Sequence, residues 1–347
     1  MMRKKKGQDM MRRQGRWCRI VAVLLLMAVS TTVSRAALAA DDAFIAAQKL
    51  GRGVNVLGYD PLWWNPTKAR FQDRHFAAIR AVGFQTIRVN LIAFKHMDAA
   101  NRLDPRWLER LDWVVAGALA QGLNVILDEH DFDACAKDAV ACRTRLASFW
   151  RQVAPRYRNT DSHVLFEILN EPHGALTAEL WNQLFAEMLA LVRESNPTRT
   201  VIVGPANYND PNQLDQLRLP AADRNLIVTF HYYAPFSFTH QGAPWVENGP
   251  PPTGIGWGSA DDVQRVTADF DEIARRGRAL DRPLFLGEFG AYDKGAMDAR
   301  AAYTATVARA AEAEGWPWAY WQFDSDFIAY DMKTQDWVVP ILKALVP

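Results

Sequence analysis

Eight apolar, strand-like runs alternate with helix-periodic stretches over about 300 residues, and this alternation predicts an α/β fold, a single (β/α)8 TIM barrel. Two further observations favour a barrel over an open doubly wound sheet. No glycine-rich phosphate loop follows the first run, since Gly51-x-Gly53 stands at its front. Polar residues also gather at the carboxyl ends of the runs, where a barrel opens its mouth.

The elements follow in order. Gly53–Leu57 reads as the first strand and Lys68–Val82 as a helix, with Phe71, Phe76 and Ile79 at helical spacing. Phe84–Leu91 is the second strand. Pro105–Gln121 is a strongly amphipathic helix, with Asp104 at the N-cap and Pro105 at the first helical position. Leu123–Asp128 is the third strand, followed by a helix over Leu146–Tyr157. Val164–Pro172 is the fourth, an apolar and β-branched run that ends in an amide, an acid and a proline. Helix Ala178–Glu194 comes next. Thr200–Val203 is the fifth strand, backed only by a poor helix over Gln213–Leu217. Leu226–Phe230 is the sixth, before a long loop rich in Pro, Gly and Trp that reaches Gly258. Asp261–Leu280 is helical, Leu284–Gly287 is the seventh strand, and Asp298–Glu314 is the next helix. Trp318–Gln322 is the eighth strand and Trp337–Leu345 a closing helix.

With 347 residues, 49% of them hydrophobic, the chain can bury a sizeable core. The formal net charge of +1 hides an uneven distribution. Residues 1–39 hold nine Lys/Arg and one acid, leaving 31 basic and 38 acidic residues in 40–347, a net charge of −7. A mildly acidic body argues against nucleic acid and anionic membranes as partners. The first 39 residues have the layout of a secretory signal: a basic region from Arg3 to Arg19, an apolar stretch from Ile20 to Val29, and Ala37-Leu38-Ala39 ahead of cleavage before Ala40. The apolar stretch is short for a membrane-spanning helix. The expected organisation is a signal peptide over 1–39 and one domain over 40–347, secreted or periplasmic.

Cys18 leaves with the signal. Cys135 and Cys142 lie close together in one polar segment, and an oxidising compartment favours a bridge between them. Neither this pair nor Asp128-Glu129-His130-Asp131 has a second histidine at ligand spacing, so no metal is expected.

In a barrel the strand ends converge. They bring Asn55, then Arg88 and Asn90, then Asp128, Glu129 and His130. Asn170 and Glu171 follow, then His231 and Tyr233, Glu288, and finally Trp321, Gln322 and Asp324. Glu288 sits inside Leu284-Phe285-Leu286-Gly287-Glu288-Phe289-Gly290, where an unpaired charge is costly. Glu171 and Glu288 thus come from opposite sides of one mouth, and two facing carboxylates are the equipment of glycoside hydrolysis. Arg88 lies within a strand, where its charge holds a neighbouring glutamate ionised. Glu167, buried mid-strand, is expected to pair with it.

These residues carry a resemblance to glycoside hydrolase family 5, the cellulase family A of clan A, and to its endoglucanase-like branch. Leu169-Asn170-Glu171-Pro172 resembles that family's acid/base signature, and Gly287-Glu288-Phe289-Gly290 its nucleophile. Arg88, His130, His231, Tyr233 and Trp321 stand in the order in which the family keeps its other active-site residues. The resemblance spans Gly51 to Asp326. Asp131 departs from it, because many members have a second histidine there.

The resemblance implies a retaining hydrolase with Glu171 as acid/base and Glu288 as nucleophile, needing no cofactor. Arg88 and Tyr233 would bond Glu288, Asn170 the sugar 2-hydroxyl, and His130 and His231 hydroxyls or the glutamates. Trp321 would lie under the sugar at the cleaved bond. Trp63, Trp64, Trp245 and Trp257, with Tyr59, are candidate subsite aromatics, weighed evenly against loop anchoring. The expected partner is a β-1,4-glucan cut internally by a monomeric enzyme. The alternatives are a β-mannan, a xyloglucan or a mixed-linkage glucan, and outside the class a carbohydrate-binding barrel without catalysis.

Overall fold

The computed structural model describes residues 43–246 and 249–347. The expected signal over 1–39, with Cys18, lies outside the described residues. Eight parallel strands close into one barrel in chain order: β1 (Arg52–Val56), β2 (Thr86–Leu91), β3 (Asn124–Glu129), β4 (Val164–Glu167), β5 (Val201–Val203), β6 (Leu226–Tyr232), β7 (Leu284–Phe289) and β8 (Trp318–Tyr320). The fold class expected from the alternation is therefore the one observed.

Strand periodicity divides the side chains. One parity, including Val54, Val89, Leu127, Phe166 and Val203, packs outward against the helices in the main core. The other parity turns inward. At the amino end of the barrel, Ile126, Leu165, Ile202, Ile227, Phe285 and Ala319 form a separate apolar layer. Two residues further along the strands the register sets Asn90 beside Asp128 and Asp128 beside Glu167, so the interior turns polar toward the mouth.

A helix over residues 43–50, not expected from the sequence, closes the amino end. Ala43, Ala47 and Leu50 recur at i, i+4 and i+7 and bury against the apolar layer. The outer helices are Asp73–Ala81, Pro105–Ala120, Ala139–Arg156, Ala178–Ser195, Ala260–Arg278, Met297–Ala313 and Val339–Leu345. Asp104 caps the second of these by accepting from Arg106 N at 2.8 Å. After β5 the chain makes only a turn over Ala206–Asn209 and a 3-10 helix over Pro211–Gln216.

Several boundaries differ from expectation, among them the first expected helix, which begins at Asp73 and not Lys68, and three of them have a plain local reason. β4 stops at Glu167, not Pro172, because Asn170 N bonds back to Glu129 O at 2.8 Å and Glu171 turns left-handed, with φ 40°. The helix before β4 begins at Ala139, because Asp138 accepts from Val140 N and Ala141 N. A short helix, Phe132–Lys137, precedes it, and Cys135 and Cys142 are bridged across the junction. The closing helix begins at Val339, because a two-residue hairpin takes the preceding segment: β9 (Tyr330–Asp331) pairs with β10 (Asp336–Trp337). Among the described residues no helix is long and apolar enough to cross a membrane.

Candidate active site

The polar end of the barrel is built around Arg88. It projects from β2 into the interior and is fully buried. Its Nε and Nη2 donate to Glu167 of β4 at 2.7 and 2.8 Å, a bidentate pair. Nη1 donates to Glu288 Oε1 at 2.7 Å and to Asn55 Oδ1 at 2.9 Å. Nη2 also donates to Asn170 Oδ1 at 2.7 Å and lies 3.1 Å from Asp128. Burial works against the guanidinium charge, but Asp128, Glu167 and Glu288 outweigh it. Glu167, the last residue of β4, thus has the partner expected for it.

Arg88 also settles the orientation of Asn170. With Oδ1 bonded to the guanidinium, Nδ2 turns toward His130 Nε2 at 3.5 Å. An amide nitrogen only donates, so His130 carries its proton on Nδ1, which faces Asp128 Oδ2 at 2.6 Å. The His130 ring stacks on Trp321, 5.6 Å between centroids and 7° apart. Burial lowers His130 to about 4, so the ring is neutral near pH 7.

The two glutamates meet across the mouth. A carboxylate oxygen of Glu171 and one of Glu288 lie within 4.8 Å of each other, with His231 Nδ1 between them. That nitrogen is 2.6 Å from Glu171 Oε1 and 3.6 Å from Glu288 Oε2. A register shift between Phe230 and His231 brings His231 level with Glu288. Tyr233 Oη donates to Glu288 Oε2 at 3.0 Å. Burial raises both carboxyls. Glu171 reaches about 7. Glu288 is bonded directly to a buried arginine and a phenol, contacts that favour its ionised form. Of the two, Glu171 is the carboxyl that holds a proton near neutrality. Burial lowers His231 to about 4, so it too is neutral.

Above the pair lies a cleft of about 1050 Å3. Its walls include both glutamates, Asn170, His130, His231, Tyr233 and Trp321, whereas Arg88 and the other strand-end residues Asn55, Asn90, Asp128, Glu129, Gln322 and Asp324 are buried outside its lining. The subsite aromatics divide. Tyr59 and Trp245 line the cleft. Trp63 does not: it is fully buried against Trp107 and its indole donates to Leu57 O. Trp257 packs beside Phe238 and Tyr303, away from the cleft. Trp64 is exposed outside the cleft. Asp131, at the departure from the expected histidine, accepts from Phe94 N at 2.7 Å and pins the loop after β2.

Sequence reasoning gave no role to Phe236, His240 and Phe327, which also line the cleft, or to the segment Asn207-Tyr208-Asn209 after β5. Its only signal was the missing helix at that position.

The family model for cellulase (glycosyl hydrolase family 5) matches residues 47–326. Among curated relatives, Endoglucanase H of Acetivibrio thermocellus is 28% identical over 317 residues, covering 88% of this chain and 33% of that protein. Endoglucanase A of Clostridium longisporum is 26% identical over 294 residues, covering 78% and 54%. The chain thus spans about a third to a half of the length of these relatives. Among solved structures, Thermotoga maritima Cel5A in complex with cellobiose superposes with a TM-score of 0.83 at 36% identity, covering 88% of this chain and 100% of that one. The same enzyme in complex with mannotriose matches equally.

Proposed function

Because the chain belongs to glycosyl hydrolase family 5, the cellulase family, we propose that it is a secreted, retaining endo-β-1,4-glucanase. The observation that carries this reading is the separation of Glu171 and Glu288, whose nearest carboxylate oxygens lie within 4.8 Å. Carboxyl groups about 5–5.5 Å apart fit double displacement, whereas inversion needs about 6.5–9.5 Å to admit a water.

In the first half-reaction Glu288 attacks the anomeric carbon and a glycosyl ester forms. The bond to the leaving oxygen breaks, and Glu171 gives that oxygen its proton. In the second half-reaction Glu171, now a carboxylate, takes a proton from water. The water oxygen attacks the anomeric carbon and frees Glu288. Arg88 and Tyr233 keep Glu288 charged. Asn170, whose Oδ1 is held by Arg88 and whose Nδ2 faces His130, bonds the sugar 2-hydroxyl in this reading. Trp321, braced by His130, gives the ring a flat face. Every step is acid–base or nucleophilic chemistry supplied by these side chains.

The glucan reading follows the endoglucanase relatives. A β-mannan is the second reading, favoured because the similar Thermotoga maritima enzyme is described with mannotriose. Reducing-sugar release from carboxymethyl cellulose, lichenan, xyloglucan and mannan separates them. Proton NMR of the first product should show the β-anomer. Initial release of the α-anomer would overturn the retaining assignment, and no release from any polymer would favour a binding barrel.

A further inference from the structure

We propose that Asn209 is a positioning residue for Glu171, acting through His231 to fix which ring nitrogen carries the proton. The inference rests on the acid/base reading of Glu171. Asn209 is fully buried, and its Nδ2 lies 3.3 Å from His231 Nε2. Asn209 Oδ1 has no hydrogen-bond partner among the described residues, and with the amide set this way Nδ2 has only protons to offer, which makes Nε2 the bare, accepting nitrogen. The single ring proton then sits on Nδ1, 2.6 Å from Glu171 Oε1, and is donated to it. With Oε1 occupied as an acceptor, the carboxylic proton of Glu171 is left to the other oxygen. In the opposite tautomer a bare Nδ1 would face Oε1 and draw that proton toward the ring, away from a leaving group.

The fold goes to unusual lengths to hold this amide. Asn207, Tyr208 and Asn209 are three consecutive non-glycine residues in the left-handed region, with φ 61°, 65° and 53°. Two contacts tie the segment to the turn that bears Glu171: Tyr208 N donates to Pro172 O at 3.4 Å, and the Tyr208 ring stacks on His173 at 3.9 Å. His173 Nδ1 in turn lies 2.8 Å from the Glu171 carbonyl. Gly204 leaves the space for the amide, since a Cβ there would stand 2.0 Å from Asn209 Oδ1. A segment this constrained, buried and tied on one side to the Glu171 turn and on the other to His231 fits a positioning role.

The charged or titratable groups facing Glu171 and His231 are Glu288, Arg88, Glu167, Asp128, His130, His173, Tyr59 and Tyr233. Asn209 is neutral, so displacing it by Gly204→Ala acts through the tautomer, whereas Asn209→Asp also adds a buried negative charge that raises Glu171 by itself. Donation from Nδ1–H favours the carboxylate form of Glu171, so losing it moves the alkaline limb of kcat/KM upward while slowing the acid-dependent step.

The test compares Asn209→Asp, which keeps the shape but puts an acceptor at Nε2, with Gly204→Ala, which displaces the amide from outside. Substrates are aryl β-cellobiosides with a poor leaving group (phenyl) and a good one (2,4-dinitrophenyl). Both variants should lose about tenfold or more in kcat/KM on the phenyl glycoside and little on the dinitrophenyl one, whose departure needs no proton. In histidine-labelled protein, the 15N signals of His231 should exchange their protonated and bare nitrogens in Asn209→Asp. Equal losses on both substrates, or an unmoved alkaline limb and unchanged 15N pattern, would reduce Asn209 to packing. Glu171→Gln serves as the control. If it too shows no leaving-group dependence, the acid/base reading fails; if it does and the Asn209 variants do not, only the present inference fails.

Discussion

Glu171 and Glu288 are chemically identical side chains separated by their partners. Glu288 is held by a buried guanidinium and a phenol, Glu171 by a neutral imidazole. The roles proposed for them therefore predict different failures. Glu171→Gln should lower kcat/KM about 10²–10⁴-fold on substrates with poor leaving groups and spare activated ones. Glu288→Gln should abolish turnover of both, because no ester can form. In wild type, activity should fall as pH rises through about 7, where Glu171 loses its proton. It should fall again in acid as Glu288 is protonated, at a pH above the usual carboxylate range because burial raises that group. A flat kcat/KM profile across pH 5–9 would contradict the assignment. Arg88→Met should cost about 3–5 kcal/mol in denaturant melts, since it strands Glu167, Asp128 and Glu288 without their cation. At this scale the glutamates were legible because acids at the ends of apolar runs are conspicuous. Asn209 was not, because its role depends on a left-handed backbone and a partner 22 residues away, neither of which leaves a pattern in the chain.

At the scale of elements, strands and amphipathic helices were readable from their periods, and most errors fall where tertiary contacts override them. Trp63 and Trp257 looked like cleft aromatics because loops carry them, yet the helix-side core claims both. The helix over 43–50 escaped notice because its two bulky residues before Leu50, Phe44 and Ile45, remain exposed. Its inner face nonetheless caps the barrel. Leu50→Ala should destabilise the protein by about 2–5 kcal/mol without changing KM, because Leu50 belongs to the layer farthest from the glutamates. A shift in KM matching the loss of stability would show that the amino-end plug reaches the cleft. The Cys135–Cys142 bridge closes a short loop, with a sequence separation of 7. Replacing both cysteines with serine should cost about 2–3 kcal/mol in the chain-entropy account, read as a lower urea midpoint.

At the scale of the molecule, charge and cleft act together. Without residues 1–39 the chain carries a net charge of −7. The cleft shares this sign: Asp133, Asp210, Asp269, Glu272 and Asp326 line it, against Arg276. A neutral β-glucan feels none of this, whereas carboxymethyl cellulose brings its own negative charges to an acidic groove. Screening shortens the reach of that repulsion from about 30 Å at 0.01 M salt to about 8 Å at 0.15 M. The KM for carboxymethyl cellulose should therefore fall as salt is added over this range, while the KM for lichenan stays level. kcat should hold on both polymers, because Arg88, Glu167 and Glu288 are buried and bonded at 2.7 Å, where mobile ions do not enter. Parallel salt responses on the two polymers would mean that substrate meets the cleft without sensing its acidic walls, and would place binding nearer the aromatic faces of Tyr59, Trp245 and Trp321.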